Sequence, residues 1–338
     1  MLASPRRTLR PRGAVIAAAA LAGAALLAGC GGDDVSGSVD VAGSSTLLPM
    51  ASSVAGTFAA AHPLARINLE MTGTGEGIAA LCDGTAAIAG ASREMSDREK
   101  KSCAASGITP VRLQVARDAL VFFTRKGSPA PACLSPGDIY ALAGPEAPGL
   151  RRWSDARAVA SAVGGSAKLP AAPLLVVAPG EGSGTRKLVE ESVIGPIATR
   201  RSTEPGLRPD AASVPSDQVM LGEVLKVPAA LAFAGFATVE PWGASVRTIS
   251  ITGDDGCVAP TGESIRDGSY PLSRPLYLYV DPAAARESAT VRAFTDAMLR
   301  GGAQAGEGGN VLYLDPAAAQ ATVNAWDAAV SDGDVTGT

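Results

Sequence analysis

Histidine occurs once in the 338 residues, as His62. A Ser–His–acid triad would have to use that residue, which precedes Pro63 at an expected helix end, away from every strand-to-loop junction. No C-x-x-C pair is present, so the residues for a zinc site are lacking too. The phosphate-cradling pattern G-x-x-x-x-G-K-[ST] is absent. The run from Gly180 to Gly184 approaches the nucleophile elbow G-x-S-x-G but has Glu181 where glycine is needed. These gaps argue against an enzyme, and neither a metal nor a cofactor is expected. Aromatics are 4% and charged residues 18%, beside heavy use of Ala and Gly, which reads as composition bias. At 46% hydrophobic the chain can bury an ordinary core, and its length suggests two domains.

An excess of positive charge is lacking as well. Arg6, Arg7, Arg10 and Arg12 form a basic start, followed by an apolar run from Gly13 to Ala28 that is too short for a spanning helix. It ends Leu27-Ala28-Gly29-Cys30, the pattern of a bacterial lipoprotein signal in which the cysteine carries the lipid. The Arg6-Arg7 pair lacks the rest of a twin-arginine signature. Residues 1–29 are expected to be a removed signal peptide, with Cys30 the lipidated residue and 30–38 a polar tether. The remaining chain has 25 Lys and Arg against 33 Asp and Glu, a net charge of −8. That argues against nucleic acid or anionic lipid as a partner, because both need a basic face. Any anion site must work through local donors, against the overall field.

Four cysteines remain: Cys82, Cys103, Cys133 and Cys257. An even number in an exported chain reads as two disulfides, with three possible pairings. Closeness in sequence favours Cys82–Cys103.

From Val39 onward, short β-like runs alternate with helical ones. Val39 to Val41, Ile67 to Met71, Ala86 to Ala91, Ala119 to Thr124, Leu174 to Ala178, Leu231 to Phe236 and Tyr277 to Val280 carry strand signals. Met50, Val54 and Phe58 recur at helical spacing, and Ile78 and Cys82 share a side of the next helix. Residues 144–173, rich in Ala, Gly, Pro and Arg, read as loop and short helix. The alternation predicts an α/β fold with mainly parallel sheets.

Three times a strand runs into a Gly/Ser/Thr loop and then a helix: at Ser45-Thr46, at Thr74-Gly75 and at Ser183-Gly184-Thr185. Helix N-termini expose unpaired N–H donors and the positive end of the helix dipole. Glycine lets backbone approach closely, and hydroxyls add small donors. One such loop is an ordinary N-cap. Three together point to an anion held between them.

These loops carry a family resemblance. G-S-S-T-L at 43–47, G-T-G-E-G-I at 73–78, A-S-R-E at 91–94, D-A-L-V-F-F at 118–123, L-S-P-G-D-I-Y at 134–140 with Trp153, G-S-G-T-R at 182–186 and Y-P-L-S-R-P-L-Y at 270–277 follow one another in order. Together they resemble the phosphate-binding proteins of bacterial ABC phosphate transporters, the Pst type, from about Val41 to about Leu314. The resemblance implies a two-lobed periplasmic-binding-protein-like fold, with two mixed, mainly parallel sheets joined by a hinge. Residues 39–117 plus 258–338 would form the first lobe and 118–257 the second, a layout that fits a Cys133–Cys257 disulfide. It also implies an extracytoplasmic, membrane-anchored, monomeric solute-binding protein that delivers inorganic phosphate to ABC permease subunits. The oxyanion contacts carried over are Ser45, Thr46 and the Leu47 amide, Thr74 and Gly75, Ser92, and Ser183, Gly184 and Thr185.

Two positions depart from the common pattern. Many members have a ligand arginine four residues before the G-S-G-T serine, where this chain has Pro179. Some have a proton-accepting aspartate after the serine of the third strand, where this chain has Arg93. Other members do have arginine there and after G-S-G-T, so Arg93 and Arg186 are expected to supply positive charge. Glu76, Glu94 and Glu181 are the candidates for the missing acceptor. Arg186 could instead pair with Glu190, and Arg93 with Glu94 or Asp97. Lys187 is expected to contribute nothing to binding. Trp153 and Trp242 could line the cleft or pack in the core. The alternatives to phosphate transport are a generic sulfate or oxyanion binder, and a surface sensor or adhesion protein that has lost binding.

Overall fold

The structure, a computed structural model, describes residues 35–301 and 311–331. The expected signal peptide, Cys30 and the first part of the tether lie outside the described residues. Twelve strands occur among the described residues. In chain order they are β1 (Gly37–Gly43), β2 (Ala65–Glu70), β3 (Ile88–Ala91), β4 (Val111–Arg125), β5 (Cys133–Leu134) and β6 (Leu175–Pro179). There follow β7 (Ala212–Val214), β8 (Ala230–Gly235), β9 (Val246–Gly253), β10 (Gly256–Val258), β11 (Ser273–Val280) and β12 (Leu312–Tyr313).

The strands make two lobes that share one long strand. In the first, β2, β1 and β3 run parallel, and β11, then β4, continue the sheet antiparallel. In the second, β8, β6 and β7 run parallel, with β4 antiparallel to β8 and to β9. β4 belongs to both: it pairs with β11 as far as Ala119 and with β8 from Leu120. This is the two-lobed mixed α/β architecture that the resemblance implied.

Side-chain alternation explains how the first sheet is covered on both faces. Along β11, Leu276, Leu278 and Val280 point into a core with Met50, Phe58, Phe294 and Trp326, while Tyr277 and Tyr279 face a smaller one with Ile78, Leu81, Cys82 and Cys103. Met50, Val54 and Phe58 form the buried stripe of the helix Leu48–Ala61, which accepts Pro49 because it lies in the first turn. The second lobe has its own larger core around Phe122, Phe123, Tyr140, Trp153 and Phe233. There β4 is covered on both faces, so residues 119–124 read as a continuous apolar run rather than an alternating one. Ile265 and Tyr270 pack in this second core, carrying it past residue 257 to the start of β11.

Residues 144–173 hold a 3-10 turn, Trp153–Ala156, and the short helix Arg157–Ala162. Trp153 is fully buried and its Nε1 donates to the Ala229 carbonyl at 2.8 Å, so it is a core residue. Trp242 packs edge-on against Phe123. Cys82 is joined to Cys103 and Cys133 to Cys257. The first disulfide ties the helix Thr74–Cys82 to the helix Asp97–Ala105, and the second ties β5 to β10. Among the described residues no helix is long and apolar enough to cross a membrane.

Candidate functional site

The first two loops are locked together by backbone. Ser44 N–H donates to the Gly90 carbonyl at 2.8 Å, and Gly73 N–H to the Gly43 carbonyl at 2.9 Å. Gly43, at φ +135°, and Gly77 leave no room for a side chain: a Cβ on Gly43 would run into the Gly90 backbone, and one on Gly77 into Gly43. That close packing brings the Ser45–Leu47 turn beside the N-terminus of the helix Thr74–Cys82. The end of β3 joins them, since Thr74 Oγ1 accepts from the Ser92 N–H at 3.1 Å and lies 3.1 Å from Ser92 Oγ.

The third loop comes from the other sheet. β6 ends at Pro179, and Ser183 caps the helix Gly184–Val189 by accepting from the Thr185 and Arg186 amides. That helix continues through a π-helical turn, Glu190–Ile194, into Gly195–Arg201. A Cβ built on Gly184 would lie 3.5 Å from Ser45 Oγ, so the third loop meets the first across the gap between the lobes.

Two adjoining cavities fill that gap. The larger, about 540 Å³, is lined by Ser45, Thr46, Thr74, Gly75, Ser92 and Arg93 from one side and by Gly184 and Lys187 from the other. The smaller, about 290 Å³, is lined by Ser183, Gly184 and Thr185 with Ser45 and Thr46. Nine of the residues singled out in the sequence as oxyanion contacts therefore share one cleft.

The other two are placed differently. Leu47 is fully buried, and its amide donates to the Ser44 carbonyl at 3.0 Å within the 3-10 turn. Arg186 donates from Nε to Glu190 Oε1 at 3.0 Å and does not line either cavity. Arg93 reaches the cleft, but the carboxylate it pairs with is Glu99 rather than that of Glu94 or Asp97, and from Glu94 it takes only the backbone carbonyl, at 3.0 Å from Nη1. Nη1 and Nη2 hold the two carboxylate oxygens at 2.9 and 2.8 Å. The Arg93 hydrogen bonds, ahead of other causes, hold the Glu99 carboxyl down at about 2. Glu94 pairs with Arg112 on the outside, and of the candidate acceptors it is Glu76 that lines the cleft. Lys187, expected to be uninvolved, lines the larger cavity beside Glu191.

Sequence reasoning missed a partly buried ion pair in this cleft. Arg274 stands directly opposite Asp118 across β11 and β4. Its Nε and Nη2 reach Asp118 Oδ2 at 3.2 and 3.0 Å, and Nη2 also donates to Thr46 Oγ1 at 2.9 Å. Both residues lay inside the quoted motifs Y-P-L-S-R-P-L-Y and D-A-L-V-F-F. The available signal was a charge directly flanking each apolar run, Asp118 before residues 119–123 and Arg274 before residues 275–280.

The arrangement gathers small hydroxyls and glycine-flanked amides from both lobes around one cleft. A family model described as a PBP superfamily domain matches residues 28–300. The chain belongs to this family. It is 28% identical to Protein SphX of Synechocystis sp. over 266 residues, covering 78% of this chain and 74% of that protein. It is 24% identical to the phosphate-binding protein PstS of Staphylococcus epidermidis over 277 residues, 82% of this chain and 78% of that protein. In fold it is similar to a possible phosphate binding protein from Planctomyces limnophilus, with a TM-score of 0.75, 24% identity and coverage of 88% of this chain and 99% of that one. An ABC-type phosphate transport receptor from Vibrio cholerae superposes with a TM-score of 0.60 at 20% identity, over 83% of this chain and all of that one.

Proposed function

We propose that this chain is a lipid-anchored, extracytoplasmic solute-binding protein that captures inorganic phosphate between its lobes and delivers it to an ABC permease. The observation that carries the reading is the convergence of the three Gly/Ser/Thr loops, two from one sheet and one from the other, on a single cleft. The relatives named as phosphate-binding proteins support the choice of anion. Thr46, Thr74, Ser92, Ser183 and Thr185 would supply donors, with the amides around Gly75 and Gly184. No covalent bond is made or broken in this reading.

Binding at the micromolar level needs about 8 kcal/mol. Charge-assisted hydrogen bonds in a water-poor site supply energy on that scale. The two cavities are far larger than one tetrahedral oxyanion, so full desolvation needs the lobes to close. The hinge would lie where β4 passes between sheets, at Ala119–Leu120, with the returning chain crossing just before β11. An anion that touches both lobes only when they are closed shifts the equilibrium toward closure.

The test is calorimetry on the folded fragment 31–338, oxidised and stripped of carried-over anion, with phosphate and sulfate titrated separately near neutral pH. Saturable phosphate binding is expected. A folded protein that takes up neither anion would end this reading and favour a sensor or adhesion role.

A further inference from the structure

Resting on the phosphate reading, we infer that Arg274 is the cation that grips the anion and that Asp118 makes the site selective for an oxyanion carrying a proton. Four residues line both cavities: Ser45, Thr46, Gly184 and Arg274. The first three belong to the anion loops of the two lobes. Arg274 is thus set at the junction where the loops meet, already bonded to the Thr46 hydroxyl.

The other arginines proposed for charge are committed elsewhere. Arg93 gives its fork to Glu99, and Arg186 gives its Nε to Glu190. The end of β6, where an arginine would help, carries Pro179, which lines the smaller cavity and has no donor. Arg274 comes instead from the first lobe, on the strand beside the hinge, and its side chain is 22% exposed. Guanidinium presents several donors in one plane, so Arg274 can keep Asp118 and Thr46 on some and offer others to an anion.

Asp118 decides selectivity by the same bookkeeping of donors and acceptors. A carboxylate only accepts hydrogen bonds, and at neutral pH sulfate does the same. Placed together in a desolvated cleft they repel. Hydrogen phosphate has the same tetrahedral shape but carries an O–H, which can donate to the carboxylate. Asp118 lines the smaller cavity at only 8% exposure, so water screens it little. Three other carboxylates line the cavities: Glu76 and Glu191 in the larger one are exposed and discriminate weakly, and Asp217 in the smaller one is half-buried, accepts from Thr238 Oγ1 at 3.5 Å and makes no ion pair with Arg274.

The experiment is a titration of the full folded fragment and two variants with inorganic phosphate and with sulfate. Arg274→Gln is expected to weaken phosphate binding about 100-fold. Asp118→Asn keeps the shape but turns one acceptor into an NH₂ donor that suits sulfate. The ratio of phosphate to sulfate affinity is expected to fall at least about tenfold. A merely structural role for Asp118 would weaken both anions equally and leave that ratio unmoved. Should Arg274→Gln not fold, Arg274→Lys keeps the charge, loses the fork, and is expected to cost about tenfold. Wild-type phosphate binding with an unchanged ratio in D118N, or a ratio shifted by Asp217→Asn or Glu76→Gln instead, overturns the inference and leaves the phosphate reading intact. A wild type that binds neither anion overturns both.

Discussion

Arg93 and Glu99 form a two-pronged ion pair at the lip of the cleft, Nη1 on Oε2 and Nη2 on Oε1. Glu99 also closes the capping box of the helix Asp97–Ala105 by accepting from Ser96. One carboxylate therefore holds a cleft arginine and a helix start at once. Its carboxyl sits at about 2 in the folded protein against an ordinary 4.5, chiefly because of Arg93. A depressed carboxyl stabilises the fold above its unfolded value and loses that contribution as pH falls toward the folded one. Wild type and Glu99→Gln should differ by about 1 kcal/mol at pH 7, a figure discounted for the half-exposed Arg93 side chain. The gap should close between pH 4.5 and pH 2. Denaturant titration at a series of pH values measures it, and a gap that persists at pH 2 would contradict the assignment.

Gly77→Ala places a methyl group into the Gly43 backbone. Neither neighbour can swing away, because both contacting atoms are main chain. Loss of about 1–3 kcal/mol is expected. The two loops should also shift apart, weakening phosphate binding more than the stability change alone would. Thermal unfolding paired with calorimetry separates the two effects.

Thr46→Ala and Thr185→Ala remove one hydroxyl each from opposite lobes. Each should weaken phosphate binding about tenfold. Lys187 also lines the cleft, yet its side chain is 68% exposed and sits one turn from Glu191. Lys187→Ala should change affinity by less than about threefold. Equal and negligible effects from all three variants would sink the placement of the site.

Removing either disulfide should destabilise the protein, the larger loop more. Cys82 and Cys103 are 21 residues apart and Cys133 and Cys257 are 124 apart. In the loop-entropy model these are worth about 3 and about 5 kcal/mol. Paired Cys→Ser variants followed by denaturant unfolding give the order, and equal losses would show that native contacts rather than chain entropy dominate.

Local chemistry made much of this protein legible in the sequence. Met50, Val54 and Phe58 marked a helix by spacing, residues 119–124 marked a buried strand by composition, and glycine with small hydroxyls marked three loops because few other roles suit them. The motif resemblance then ordered those parts into two lobes. What only the tertiary structure decided is which charges meet. Arg93 found Glu99 rather than the carboxylate of Glu94 or Asp97, because the helix start at Ser96 turns Glu99 back toward it. Arg186 turned to its own helix neighbour. Arg274 and Asp118 are 156 residues apart, and nothing in either segment names the other. Strand register sets them opposite, and the fold places the pair against the smaller cavity where the loops of the two lobes meet.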